Sequence, residues 1–207
     1  MLFTGLSPEE FQDFILWSKA ITQVYGPGQA IFQEGQEALD IYVLLRGHVE
    51  VDQLSPSGRR TVVAHFSQEH SIFGEVYALL GIPFDYSAWA KEESVILKIP
   101  GQAVLRTLGN PSQEKIAKNL VRLLASKAYS LNQRLMVQTA PSLREKILMD
   151  LTQRQKNGQV VLDFSREKWA EILAVPRPSL SRELSKMQED GLISIDKRTI
   201  SLLNEIL

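Results

Sequence analysis

Apolar residues follow two rhythms along this chain, and the change of rhythm divides it. Between residues 24 and 100, short apolar runs alternate with Gly, Pro and Asp: Ala30-Ile31-Phe32, Ile41-Tyr42-Val43-Leu44-Leu45, His48-Val49-Glu50-Val51, and residues 60–66, 86–90 and 95–99. Runs of this length, rich in β-branched and aromatic residues and bounded by turn formers, predict the evenly spaced strands of an antiparallel sandwich or barrel. A short helix over 4–23 is expected before them, with Ser7-Pro8-Glu9-Glu10 as its start signal and Phe11, Phe14 and Ile15 as its apolar face.

From residue 112 to 137 the period is helical. Ile116, Leu120, Leu124, Ala128, Leu131 and Leu135 recur in steps of three and four, forming a narrow stripe flanked by Lys and Arg. Such a stripe either packs on its own domain or forms a partly coiled-coil dimer seam, and a long helix between two domains favours the seam. Thr139-Ala140-Pro141 breaks the helix. Ser142-Leu143-Arg144-Glu145 is a capping box opening a further helix over 143–155, followed by a polar loop from 153 to 159.

The segment 164–200 carries the clearest punctuation. Ser165 suits the cap of one helix, with Glu167 favoured at the positive end of its dipole and Trp169, Ala170, Ile172 and Leu173 on its apolar face. Pro176 disfavours helical geometry at Val175, and Pro178 fits the first turn of a second helix. Leu180, Leu184 and Met187 share one face of that helix, and Gly191 stops it. Alternating apolar residues on either side of Asp196-Lys197-Arg198 then predict a small hairpin, or wing.

With Leu180, Leu184 and Met187 buried, the outer face of the second helix holds Arg177, Ser179, Ser181, Arg182, Ser185 and Lys186. Arginine pairs with guanine through two parallel hydrogen bonds in the major groove, and serine reaches a base edge or a phosphate. Lys186, Lys197 and Arg198 suit phosphate contacts, which set register without reading sequence. The competing reading of this segment is an ordinary pair of packed helices with a solvated charged face.

Charge alone does not point to nucleic acid. The chain of 207 residues has net charge −1, and residues 141–207 hold eleven Lys and Arg against ten Asp and Glu. Positive charge must therefore be concentrated by geometry, with Glu171, Glu183, Glu189 and Asp190 on faces or ends away from the arginines, and by doubling in a dimer. The length favours two modest domains. No apolar run is long enough to span a membrane, and the start MLFTGLSPEEFQDF lacks the basic region and apolar core of a signal peptide, so a cytoplasmic protein is expected. The absence of cysteine excludes disulfides, thiolate zinc sites and a cysteine-ligated iron–sulfur cluster. No nucleophile–base pair, phosphate loop or metal-ligand spacing supports an enzyme.

The order of these elements resembles the Crp–Fnr family of bacterial transcription regulators. The likeness is carried by Tyr25-Gly26-Pro27-Gly28, Ile31-Phe32-Gln33-Glu34-Gly35, residues 41–49 and Phe73-Gly74-Glu75, and later by residues 176–184 and Glu189-Asp190-Gly191-Leu192-Ile193. It implies an α+β chain: an antiparallel β-roll (a double-stranded β-helix) for sensing over 1–110, a dimerisation helix and hinge over 111–140, and a winged helix-turn-helix over 141–207. It also implies a homodimer on a pseudo-palindromic DNA duplex, and RNA polymerase as a further partner. Ile116, Leu120, Leu124, Leu131 and Leu135 would form the dimer seam.

The resemblance places an effector at Gly74, Glu75, Tyr86 and Ser87, where Gly74-Glu75 is otherwise a turn followed by a surface carboxylate. Members that bind cyclic nucleotides carry an Arg about ten residues after Gly-Glu to neutralise the phosphate. Here Phe84 or Tyr86 takes that place, with Asp85 between them. A buried phosphate without a paired cation is costly, so cyclic AMP is not the expected effector, and the spacing of Arg46, Arg59 and Arg60 suggests no substitute. Haem is not expected either, because His48 and His65 fall within predicted strands and leave only His70. The aromatic residues Phe73, Tyr77, Phe84, Tyr86 and Trp89 either line an apolar pocket or fill the roll, and filling is the favoured reading. In the recognition helix Arg177 and Arg182 match family positions that touch bases. Pro178 replaces a frequent Glu that accepts from cytosine, so the operator should differ from that of the cyclic-AMP receptor. The effector stays unidentified, and the alternative function is a small-molecule-binding module whose winged helix contacts protein.

Overall fold

Ser7 starts the first helix by a reciprocal pair of hydrogen bonds: its hydroxyl accepts from the Glu10 amide at 3.2 Å, and the Glu10 carboxylate accepts from the Ser7 amide at 2.8 Å. In the computed structural model, which describes residues 1–55, 58–106 and 111–203, this helix α1 covers Pro8–Ser18. It is shorter than the expected 4–23. Lys19 turns left-handed at φ 57°, and Ile21–Tyr25 leaves as strand β1. The apolar residues Ile21 and Val24 suit either period, and pairing with a neighbouring strand decides between them.

The chain divides into two units, Met1–Ala125 and Ser126–Leu207. In the first, β1 is followed by β2 (Ala30–Phe32), β3 (Asp40–Arg46), β4 (Val49–Leu54), β5 (Arg60–Phe66), β6 (Ile72–Phe73), helix α2 (Glu75–Leu80), β7 (Ser87–Ala90), β8 (Ser94–Pro100) and helix α3 (Gly101–Leu105). The strands form two antiparallel sheets, ordered β1-β8-β3-β6 and β2-β7-β4-β5. Register follows the alternation of side chains. Val49 and Val51 lie opposite Ala90 and Ala88 and are buried, while Glu50 lies opposite Trp89 on the other face. His48 sits in the turn before β4, not within a strand as expected, whereas His65 is in β5. Strand β6 and helix α2, both too short to show a period, had no sequence signal.

Gly47 makes the β3–β4 turn possible. It holds φ +107°, and a Cβ there would stand 2.4 Å from Ser94 Oγ and 2.7 Å from Ser94 Cα. The side-chain oxygen can move; the backbone of β8 cannot.

Helix α4 spans Pro111–Thr139. In the first unit Ile116 and Leu120 are buried in the core of the roll. In the second, Val137 joins a core built from α5 (Leu143–Arg154), β9 (Gln159–Val161), α6 (Arg166–Ile172), α7 (Arg177–Glu189), β10 (Ile193–Asp196) and β11 (Thr199–Leu202). The last strands form an antiparallel sheet ordered β10-β11-β9, so the expected hairpin gains a third strand, which starts at Gln159, the last residue of the expected polar loop. Trp169 is fully buried, and its indole N–H donates to Asp150 Oδ2 at 2.8 Å. That carboxylate also accepts from Arg154 at 2.8 Å, so both buried polar groups are satisfied. Among the described residues no helix is long and apolar enough to cross a membrane.

Gly47→Ala should lower unfolding free energy by roughly 2–4 kcal/mol, the sum of a left-handed backbone penalty and overpacking against β8. Urea denaturation will show this as a lower midpoint at unchanged slope; an unchanged midpoint would contradict the close approach.

Candidate nucleic-acid interface

Two capped helix ends set the geometry of the α6–α7 pair. Ser165 caps α6, its hydroxyl accepting from the Lys168 amide at 3.2 Å. The helix closes when Ala174 turns left-handed at φ 53°, with the Val175 amide bonded back to Ala170 O at 3.0 Å. Pro176 then caps α7, with Pro178 in its first turn. At the far end the Leu192 amide returns to Met187 O at 3.0 Å and the Gly191 amide to Gln188 O at 3.1 Å, the two bonds of a Schellman motif.

Between these ends, Leu180, Leu184 and Met187 are buried. Arg177, Ser181, Arg182, Ser185 and Lys186 are exposed on the other side, and Ser179 is half-buried. Two of these side chains are partly tied to their own helix: Arg182 Nε donates to Pro178 O at 3.4 Å and Ser185 Oγ to Ser181 O at 3.2 Å. Lys197 and Arg198 are exposed in the β10–β11 turn, where Lys197 holds φ 53°.

Several acidic residues of this unit are paired. Arg144, at the start of α5, holds Glu183 through Nε and Asp190 through Nη1, both at 2.7 Å. These two carboxylates push the Arg144 pKa further up. Lys168 pairs with Glu171 at 2.9 Å. Glu167 is placed differently: its Oε1 lies 2.9 Å from Nε of Arg177, at the exposed start of α7. Its own backbone amide, the Ser165 hydroxyl and Arg177 hold the Glu167 carboxyl below the usual range. Arg166 stacks over the Trp169 ring at 5.4 Å, and burial lowers its pKa. Arg144, Arg166 and Glu167 were not singled out as site residues in the sequence, because their roles depend on neighbours that no local pattern identifies.

In the roll, Gly74 caps α2 at φ +73°, and a Cβ there would meet a Tyr42 ring carbon at 2.9 Å. Glu75 is buried rather than on the surface. Ser87 Oγ accepts from the Glu34 amide at 3.0 Å. Tyr86 lies against Tyr77, Phe32 and Phe84, and its hydroxyl pKa is raised by burial first and by Tyr77, Glu75 and Asp85 next. Tyr77 donates to Asp85, and burial together with that bond pushes its pKa up to about 12. Phe32 and Phe84 stack at 3.8 Å, and Tyr42, Phe66 and Phe73 extend the aromatic cluster. Arg46 and Arg60 pair with Glu93 and Asp52.

Comparison with known proteins matches residues 22–110 to the cyclic nucleotide-binding domain family and residues 146–205 to the Crp-like helix-turn-helix domain family. The chain belongs to the Crp–Fnr family. Its relatives include the transcriptional regulator LdrP of Thermus thermophilus, 28% identical over 176 residues, which covers 85% of this chain and 89% of LdrP. The nitrogen fixation regulation protein FixK of Rhizobium meliloti is 27% identical over 188 residues, covering 88% and 83%. Among solved structures, CprK complexed with OCPA has a TM-score of 0.62 at 18% identity, covering 95% of this chain and 90% of CprK. The catabolite activator protein of Thermus thermophilus has a TM-score of 0.55 at 22% identity, covering 97% and 92%. These two share the fold. As a Crp–Fnr member with both domains, the chain is a DNA-binding transcription regulator.

Proposed function

We propose that this regulator acts as a homodimer on a pseudo-palindromic operator with half-sites ~34 Å apart, through residues 141–207. The carrying observation is the division of α7 into a buried apolar stripe and an outer face bearing Arg177, Ser181, Arg182 and Lys186. Arg177 and Arg182 read bases, Ser179 and Ser181 support them, and Lys186, Lys197 and Arg198 contact phosphates. Arg177→Ala should cost roughly 1–3 kcal/mol on the preferred operator and relax selection at one base pair, while Lys197→Ala should weaken all duplexes alike. Selection from random duplexes followed by anisotropy titration measures both; equal losses on operator and random DNA for Arg177→Ala would sink its assignment.

The dimer seam is the exposed part of the stripe on α4, within the hinge segment 111–140. Ile116 and Leu120 are taken up by the core of their own unit, so they do not serve a partner helix. Val121, Leu131 and Leu135 remain 65%, 63% and 58% exposed. With Leu124 and Ala128 they keep three-four spacing, the repeat of a two-stranded coiled coil. Leu131→Glu with Leu135→Glu should convert a dimer into a monomer in sedimentation velocity; a wild-type monomer at micromolar concentration would refute the seam.

The sensor is the roll, residues 1–110, and its signal is not cyclic AMP. The candidate residues are Gly74, Glu75, Tyr86 and Ser87; Tyr86 packs among aromatic rings, and Phe84 or Tyr86 stands where phosphate binding needs a cation. Operator affinity should be unchanged by cyclic AMP in the titration above, and tighter binding in its presence would overturn this reading.

A further inference from the structure

The contact between Glu167 and Arg177 is out of place for two exposed side chains on a DNA-binding face. A carboxylate there repels phosphates and lowers affinity for every duplex. An exposed ion pair also contributes little to folding, so stability does not account for it. The support beneath the carboxylate is more specific. Glu167 stands in the first turn of α6, held by its own backbone amide and by the Ser165 hydroxyl, which also caps that helix. Its Oε1 lies 2.9 Å from Arg177 Nε, a contact between charges. A carboxylate beside Nε restrains the guanidinium at the start of α7 by charge, and one N–H from each of Nη1 and Nη2 can still make the end-on fork that fits guanine O6 and N7.

We propose that Glu167 is a specificity-determining residue that positions Arg177 for guanine, an inference that rests on the DNA-reading assignment of α7. It acts in two ways. It orders a long side chain before DNA arrives, which reduces the entropy lost on pairing. It also penalises duplexes on which Arg177 finds no guanine, because there the carboxylate faces phosphates with no compensating contact.

The test is a double-mutant cycle on the full-length protein. The wild-type operator is first selected from random duplexes, and the base pair read by Arg177 is the one whose discrimination Arg177→Ala removes. Glu167→Gln should then reduce discrimination at that base pair by about tenfold and tighten binding to random duplex by roughly two- to threefold. In the Arg177→Ala background the same substitution should leave discrimination unchanged. Glu167→Ala serves as a second variant, and matching thermal unfolding midpoints exclude a folding effect. Equal tightening on matched and mismatched duplexes would make Glu167 a mere competing charge and overturn the proposal. So would a loss of discrimination that persists without Arg177. Failure of the wild-type protein to select any site is a different result: it would overturn the DNA-reading assignment, and the role of Glu167 with it.

Discussion

The burial of Leu180, Leu184 and Met187 is the constraint on which the second unit depends. A helix turns by 3.6 residues, so fixing this stripe inside fixes which side chains of α7 face out. Each buried side chain contributes roughly 1.5–3 kcal/mol, against about 0–1 kcal/mol for an exposed ion pair. Apolar packing therefore decides the rotation of α7, and the charged contacts act on a helix already set. Trp169 of α6 and Leu173 at its end share the core with that stripe, together with Ile193 and Ile200 of the wing. The α6–α7 pair and the wing are thus one packed body, and the outer face of α7 is set with it.

Polar contacts then refine what packing has set. Asp150 satisfies the Trp169 indole that burial would otherwise leave unpaired, and Arg154 balances the charge. Arg144 ties Glu183 and Asp190 of the α7 segment to α5, neutralising two carboxylates. In a chain of net charge −1, Glu183 and Asp190 are thereby engaged by Arg144, while Arg182, Lys186, Lys197 and Arg198 remain exposed. Glu167 is placed differently, an acid paired with Arg177 at the exposed start of α7.

The first unit obeys the same rule with a different result. Alternation along the strands sends Val49, Val51, Ala88 and Ala90 inward, and aromatic rings from β2, β3, β6 and the α2–β7 segment occupy the space between them. Gly74 survives at the start of α2, where a Cβ would press on Tyr42. In this chain the residue is explained by close packing against an aromatic ring, without reference to a bound phosphate.

Local signals in the sequence determined the elements they control. Ser7, Ser142 and Ser165 marked three helix starts because a capping hydroxyl acts on amides two or three residues away. Leu180, Leu184 and Met187, with Gly191 after them, located α7 and its outer face, and so the residues proposed to contact DNA. Where two periods were both compatible with the residues, the sequence misled: the helix expected over 4–23 ends at Ser18, and Ile21 already opens a strand. Only tertiary structure decided that Ile116 and Leu120 belong to the roll while Leu131 and Leu135 stay outside, since one stripe serves either purpose. Only it brought Arg144 to Glu183, and Glu167 to Arg177. A hydrogen bond between neighbours in sequence leaves a pattern in the sequence; an ion pair between separate helices depends on how those helices pack, and no spacing of residues records it.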